Sequence, residues 1–162
     1  MSGQIHRITE ATLHKLRDEW HHLTTVGRTE IARVIEAARS LGDLSENGDY
    51  HAAKDEQGKM EARIHILEDI IHNHEIIERD ENSDIVQHGS IVTVVFEGDS
   101  DDEASDYFVG SIEEKPADVI TASPTSPMGE ALLGKKLGES VTYAAPSGDL
   151  TLRIIEIGRA HV

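Results

Sequence analysis

Apolar residues in the first half of the chain recur at helical spacing. Leu13, Leu16, Trp20 and Leu23 step by three and four, the rhythm of a coiled-coil seam. Carrying that seam onward would bury Gly27 and Glu30, so it fails there. Ile31, Val34, Ala38 and Leu41 restart it with an offset of four residues. Such an offset is a stutter, and with Thr24, Thr25 and Gly27 nearby it predicts a local kink or unwinding. Ala53, Gln57, Met60, Ile64, Leu67 and Ile71 form a second seam. Thr9 suits the N-cap of the first helix; Asn47 or Gly48 suits that of the second, with Asp49 in its first turn. Each helix is expected to run about 30 residues, or about 45 Å at 1.5 Å per residue.

Between the two seams lies Gly-Asp-Leu-Ser-Glu-Asn-Gly-Asp-Tyr, residues 42–50. A connection that short folds two helices back on each other. It sets Asp43, Glu46 and Asp49 at the tip of a hairpin. Ala37, Ala38, Ala52 and Ala53 permit a narrow end behind them.

After the polar stretch DENSD at 80–84, the period changes from helical to alternating. Residues 91–96, 107–112, 119–121, 141–144 and 150–157 read as short strands, and 127–133 as one short helix. The expected class is α+β: an N-terminal antiparallel α-helical coiled-coil hairpin, then a small β-rich domain with one short helix. Residues 1–79 form the hairpin with its acidic tip at 42–50, 80–87 the linker, and 88–162 the second domain.

Composition narrows the chemistry. Aromatics make up only 4% of residues, so the core must be aliphatic and a deep aromatic-lined pocket is not expected. With no cysteine, disulfides, iron–sulfur clusters and Cys-zinc sites are excluded. The N-terminal sequence has no apolar core of signal-peptide length and no run approaches a membrane span, so a soluble cytoplasmic protein is expected. The net charge of −16 repels a phosphate backbone, so any nucleic acid must be held by something else.

The tip carboxylates are the leading candidates for chemistry. Acids in a helix connection are commonly solvated caps. The alternative is that Asp43 and Glu46 share part of a Mg²⁺ coordination shell, weakly unless another site supplies further ligands. Three other motifs are set aside. Gly129 to Lys136 nearly spells a phosphate-binding loop, but Lys136 stands where Ser or Thr is required, and the segment reads as a short helix. His65, His72 and His74 lie off the apolar seam on a charged face. The acidic run 99–106 lacks the Gly and terminal Glu of a calcium loop and reads as a hairpin connection.

Two separated blocks carry a family resemblance. Ala-Arg-Ser-Leu-Gly-Asp-Leu-Ser-Glu-Asn at 38–47, followed by Tyr50-His51-Ala52-Ala53-Lys54 and Gln57-Gly58, resembles the signature of the bacterial Gre transcript-cleavage factors of the GreA type. Ser126-Pro127-Met128-Gly129 and Ala131 to Gly138 form the second block. The resemblance implies an FKBP-like C-terminal domain that docks on bacterial RNA polymerase, and a coiled coil that enters the polymerase secondary channel. Asp43 and Glu46 would then be the catalytic acids, sharing a Mg²⁺ with the polymerase, with no metal bound to the free protein. Arg39 and Lys54 would contact the nascent RNA 3′ end within the complex. Asn47 and Tyr50 would support the tip, and Ser126, Pro127 and Lys135 are candidates for polymerase docking. Ser45 and Gly48 depart from the family, where a basic and a larger residue are frequent.

The implied function is stimulation of hydrolytic cleavage of backtracked RNA by an accessory factor that is not a self-sufficient enzyme. A non-cleaving regulator of the same channel shares the fold, and the intact Asp43/Glu46 pair argues against it. An isomerase pocket on the FKBP-like domain would need aromatics, yet the second half offers only Phe96, Tyr107, Phe108 and Tyr143. The expected protein is monomeric and makes no membrane contact. Ile66, Ile70, Ile76 and Ile77 are apolar positions left over on the coil.

Overall fold

A computed structural model of the chain describes residues 5–43, 46–78 and 83–159. Leu44, Ser45 and the linker residues Asp80–Asn82 fall outside that set. The chain divides into two compact units. The helical unit includes Glu10–His74; the β-rich unit includes Glu75 onward, together with Arg7–Thr9.

The helical unit is a hairpin. Its first arm is α1 (Glu10–His22), a π-helical turn (Leu23–Gly27) and α2 (Arg28–Arg39); its second is α3 (Gly48–His72). Thr9 stands at the residue before α1, where a cap belongs. The predicted unwinding is therefore a π-turn, and its cause is local. Thr24 Oγ1 donates to the Trp20 carbonyl at 2.8 Å and Thr25 Oγ1 to the His21 carbonyl at 2.6 Å, competing with the α-helical ladder. Gly27 leaves room opposite, since a Cβ there would meet Met60 Sδ at 3.1 Å.

The π-turn corrects the expected seam. A π-turn holds one residue more than an α-turn, so every later seam position moves on by one. The Leu13–Leu16–Trp20–Leu23 series, which would have continued through 30, 34 and 37, continues through Ile31, Ile35 and Ala38. Ile35 is 9% exposed and Ala38 4%. Val34 and Leu41, expected inside, are 52% and 70% exposed.

The second arm, at 25 residues, is shorter than expected. It ends where Asn73 leaves helical backbone geometry and its amide donates to the Asp69 carbonyl. Ile64, Leu67 and Ile70 are buried, so Ile70 is not left over. Ile76 belongs to a strand.

Three charged or polar pairs cross the arms on either side of the π-turn. Trp20 Nε1 donates to Glu68 at 3.2 Å, Arg63 grips Glu19 with two bonds of 2.7 and 2.8 Å, and Arg28 grips Glu61 at 2.9 and 3.0 Å. The Arg63 hydrogen bonds hold the Glu19 carboxyl below its ordinary pKa, and Arg28 does the same for Glu61.

Two short strands, β1 (His6–Ile8) and β2 (His74–Ile76), pair as a ribbon. The main sheet has five: β3 (Ser90–Phe96), β4 (Ser105–Val109), β5 (Ile120–Ala122), β6 (Ser140–Ala145) and β7 (Gly148–Arg159). Their order is β5-β4-β3-β7-β6, with only the β4–β5 pair parallel. The acidic run is a hairpin connection between β3 and β4, as expected, with a Ser100/Glu103 capping box inside it. One short helix, α4 (Pro127–Leu132), packs on β6 and drives Leu132 into a core of Val86, Val92, Val94, Val109, Val141, Leu152 and Ile154. The strand expected to reach residue 112 ends at Val109. A Cβ on Gly110 would strike the Phe108 ring at 2.8 Å, and Ser111 then caps a 3₁₀ turn that leaves Ile112 73% exposed. The α+β class and the order hairpin then sheet are those the sequence predicts.

Candidate functional site

The hairpin tip is built from the end of α2. After Arg39 the helix closes with Ser40 N donating to the Glu36 carbonyl and Leu41 N to the Ala38 carbonyl. Gly42 then turns the chain at φ +124°, a conformation in which a side chain would be strained. Asp43 follows, and the Glu46 amide donates to its carbonyl at 3.4 Å. Asn47 is extended and caps α3: its Oδ1 accepts from Tyr50 N at 3.0 Å. The same side chain turns its Nδ2 back to the Ala38 carbonyl. Asn47 thus grips both arms at once.

Asp43 and Glu46 are exposed, and with Leu41, Asn47, Gly48 and Asp49 they border one open cavity of about 400 Å³. Asp49 occupies the first turn of α3, where the helix dipole favours a carboxylate. Three carboxylates therefore edge a single depression. Their oxygens are the hard donors that Mg²⁺ takes. Among the described residues, however, no three His, Asp or Glu side chains converge closely enough to hold a metal. The tip thus offers donors of the kind a divalent cation takes, but fewer than a complete site needs.

The structure brings Arg39 to Tyr50, with the guanidinium carbon 5.9 Å from the ring centroid. Tyr50 is half-buried and also meets His51 edge-on at 5.5 Å. Lys54 turns instead to Gln57 on its own helix, 3.0 Å away. Behind the acids an apolar groove opens, lined by Ile31, Val34, Ala37, Leu41, Ala52 and Ala53 among others. Sequence reading missed it, because placing Val34 and Leu41 inward fills that space.

The candidates of the β-rich unit have local structural work. Ser126 Oγ accepts from Gly129 N at 3.1 Å and donates to the Ser123 carbonyl at 2.6 Å, capping α4. Pro127 begins that helix, where its missing N–H costs nothing. The Lys135 carbonyl accepts from Val86 N at 2.8 Å. Gly129 has no freedom to vary, since a Cβ would lie 1.8 Å from the Ser123 carbonyl oxygen. With Gly129 in a helix and Gly134 in the turn after it, the order is the reverse of a phosphate-binding loop. The rings of His72 and His74 bond carbonyls one turn back, at Glu68 and Ile71, and exposed His65 lies 3.9 Å from Glu68.

Comparison with known proteins matches both units. Residues 6–76 match the family described as "Transcription elongation factor, N-terminal", and residues 81–159 "Transcription elongation factor, GreA/GreB, C-term". The chain is 43% identical to transcription elongation factor GreA of Streptomyces avermitilis over 143 residues, covering 88% of this chain and 86% of that one. Against GreA of Bacillus subtilis the identity is 44% over 143 residues, 88% and 90% of the two chains. Among solved structures, the GreA factor homolog 1 of Thermus thermophilus is 26% identical, with a TM-score of 0.44 over 95% of this chain and 99% of that one. This chain belongs to the GreA/GreB family of transcription elongation factors.

Proposed function

We propose that the chain acts on RNA polymerase, passing its hairpin into the secondary channel and stimulating hydrolytic cleavage of backtracked nascent RNA. The observation that carries this is the tip itself: Asp43 and Glu46 stand exposed on one cavity at the far end of the hairpin. Oxygen ligands on a braced stalk suit delivery to a site that another protein owns. A divalent cation held there would activate water for phosphodiester hydrolysis. Asp43 and Glu46 contribute ligands and orient them; Arg39, held over Tyr50, and Lys54 offer positive charge to the RNA 3′ end. The net charge of −16 agrees, because a factor that meets RNA already gripped by polymerase needs no basic face of its own. The protein is then an accessory factor, and the chemistry is the polymerase's.

The decisive assay uses a stalled, backtracked polymerase complex with Mg²⁺. The Asp43→Ala/Glu46→Ala double variant is expected to lose stimulated cleavage by at least about 100-fold, since merely misplacing such groups costs that much. Polymerase binding should be retained. Cleavage at the wild-type rate by the double variant would show that the acids do something else.

A further inference from the structure

We infer that Asn47 is a positioning residue that sets Glu46 against Asp43, acting as a staple between the two arms and not only as a helix cap. The inference rests on the reading of those acids as metal ligands.

Packing cannot do this work at the glycines that flank the acids. Around Gly42 and around Gly48, a Cβ would find nothing within 4 Å. Asn47, immediately after Glu46, ties that end of the connection to both arms. Its Oδ1 takes the Tyr50 amide, the first restraint, which any capping residue could supply. Its Nδ2 reaches the Ala38 carbonyl on the opposite arm, five residues before Asp43. Ala38 is itself 4% exposed in the seam, as is Ala53, so the bond anchors the loop to a point that packing has fixed. One planar amide accepts from one arm and donates to the other. Ser caps as well as Asn and Thr only somewhat less well, but a hydroxyl bonded directly to Cβ cannot also span to the facing helix.

That difference provides the test. The chain has no cysteine, so a pair introduced at the exposed positions Leu41 and His51 can carry spin labels in the full-length protein. Asn47→Ser and Asn47→Thr keep the cap and should keep the helical circular dichroism and polymerase binding. The label-to-label distance distribution of the free protein is expected to be narrow with Asn47 and broad in both variants. In the cleavage assay the half-saturating Mg²⁺ should rise about tenfold, the usual loss when a residue that orients metal ligands is removed. Most of the maximal rate should return at high Mg²⁺. Unchanged distances, or an unchanged Mg²⁺ requirement, in both variants would reduce Asn47 to a cap and overturn the inference. Failure of the underlying reading looks different: there the Asp43→Ala/Glu46→Ala protein would still stimulate cleavage.

Discussion

The two ends of the hairpin are held by different interactions. Near the start of α1 and the end of α3, Leu13, Leu16, Ile64, Leu67 and Ile70 are each no more than 6% exposed. Toward the turn the buried positions among the described residues are Ala38 and Ala53, while Val34 and Leu41 are exposed. A buried leucine contributes about 2 kcal/mol and an alanine far less. Hydrogen bonds, those of Asn47 among them, and the Arg39–Tyr50 contact therefore carry more of the restraint at the tip than apolar packing does. The apolar packing and the exposed acids sit at opposite ends, so charge can gather at the tip without a large cost to folding.

The contrast is most easily broken by exchanging the roles of the ends. Leu67→Ala should cost the hairpin about 2–5 kcal/mol, the range for a buried leucine, read from denaturant unfolding followed by helical circular dichroism. Asp43→Ala/Glu46→Ala should cost less than about 0.5 kcal/mol by the same measurement, as surface changes do. A comparable loss of stability from the tip variant would erase the distinction. Closer to the π-turn, Ile35→Ala is expected to cost about 2 kcal/mol and Val34→Ala less than about 0.5 kcal/mol. The reverse order would mean that the seam had not moved on by one residue.

That shifted seam also shows how far the sequence could be read. The failing rhythm at Gly27 and the threonines beside it announced a defect, and the defect is there. Its size was not legible, because a π-turn and a coiled-coil stutter both interrupt the pattern but displace it differently. The hydrogen bonds of Thr24 and Thr25, with the room left at Gly27, select the π-turn. At the tip, turn residues and the Asn-Gly pair marked the reversal and the cap. The second bond of Asn47, to Ala38 nine residues earlier, follows from where the arms cross, and no local spacing encodes it. The same holds for Glu19 with Arg63 and Arg28 with Glu61, 44 and 33 residues apart. In the β-rich unit the sequence pattern located every strand of the main sheet, the three-residue β5 included, whereas β1 and β2 adjoin α1 and α3 and were absorbed into the helical reading.

The smallest expected effect concerns those cross-arm pairs, which lie beside the π-turn and away from the acids. Arg63 lowers the Glu19 carboxyl from its ordinary value of 4.5. A carboxyl with a lower pKa in the folded chain takes its proton more readily in the unfolded one. The stabilisation is thus complete above the ordinary value and fades as pH falls through the lowered one. Both side chains are about one-third exposed, so the pair is worth no more than about 1 kcal/mol. Glu19→Gln should therefore flatten the acid limb of hairpin stability below about pH 5 without abolishing it, since Glu61 and Asp69 carry lowered pKa values for the same kind of reason. Raising the salt concentration should shrink the difference further, as screening weakens a partly exposed pair. Superimposable acid limbs for wild type and Glu19→Gln would leave the apolar seam and the Trp20–Glu68 bond to hold the arms on that side of the π-turn.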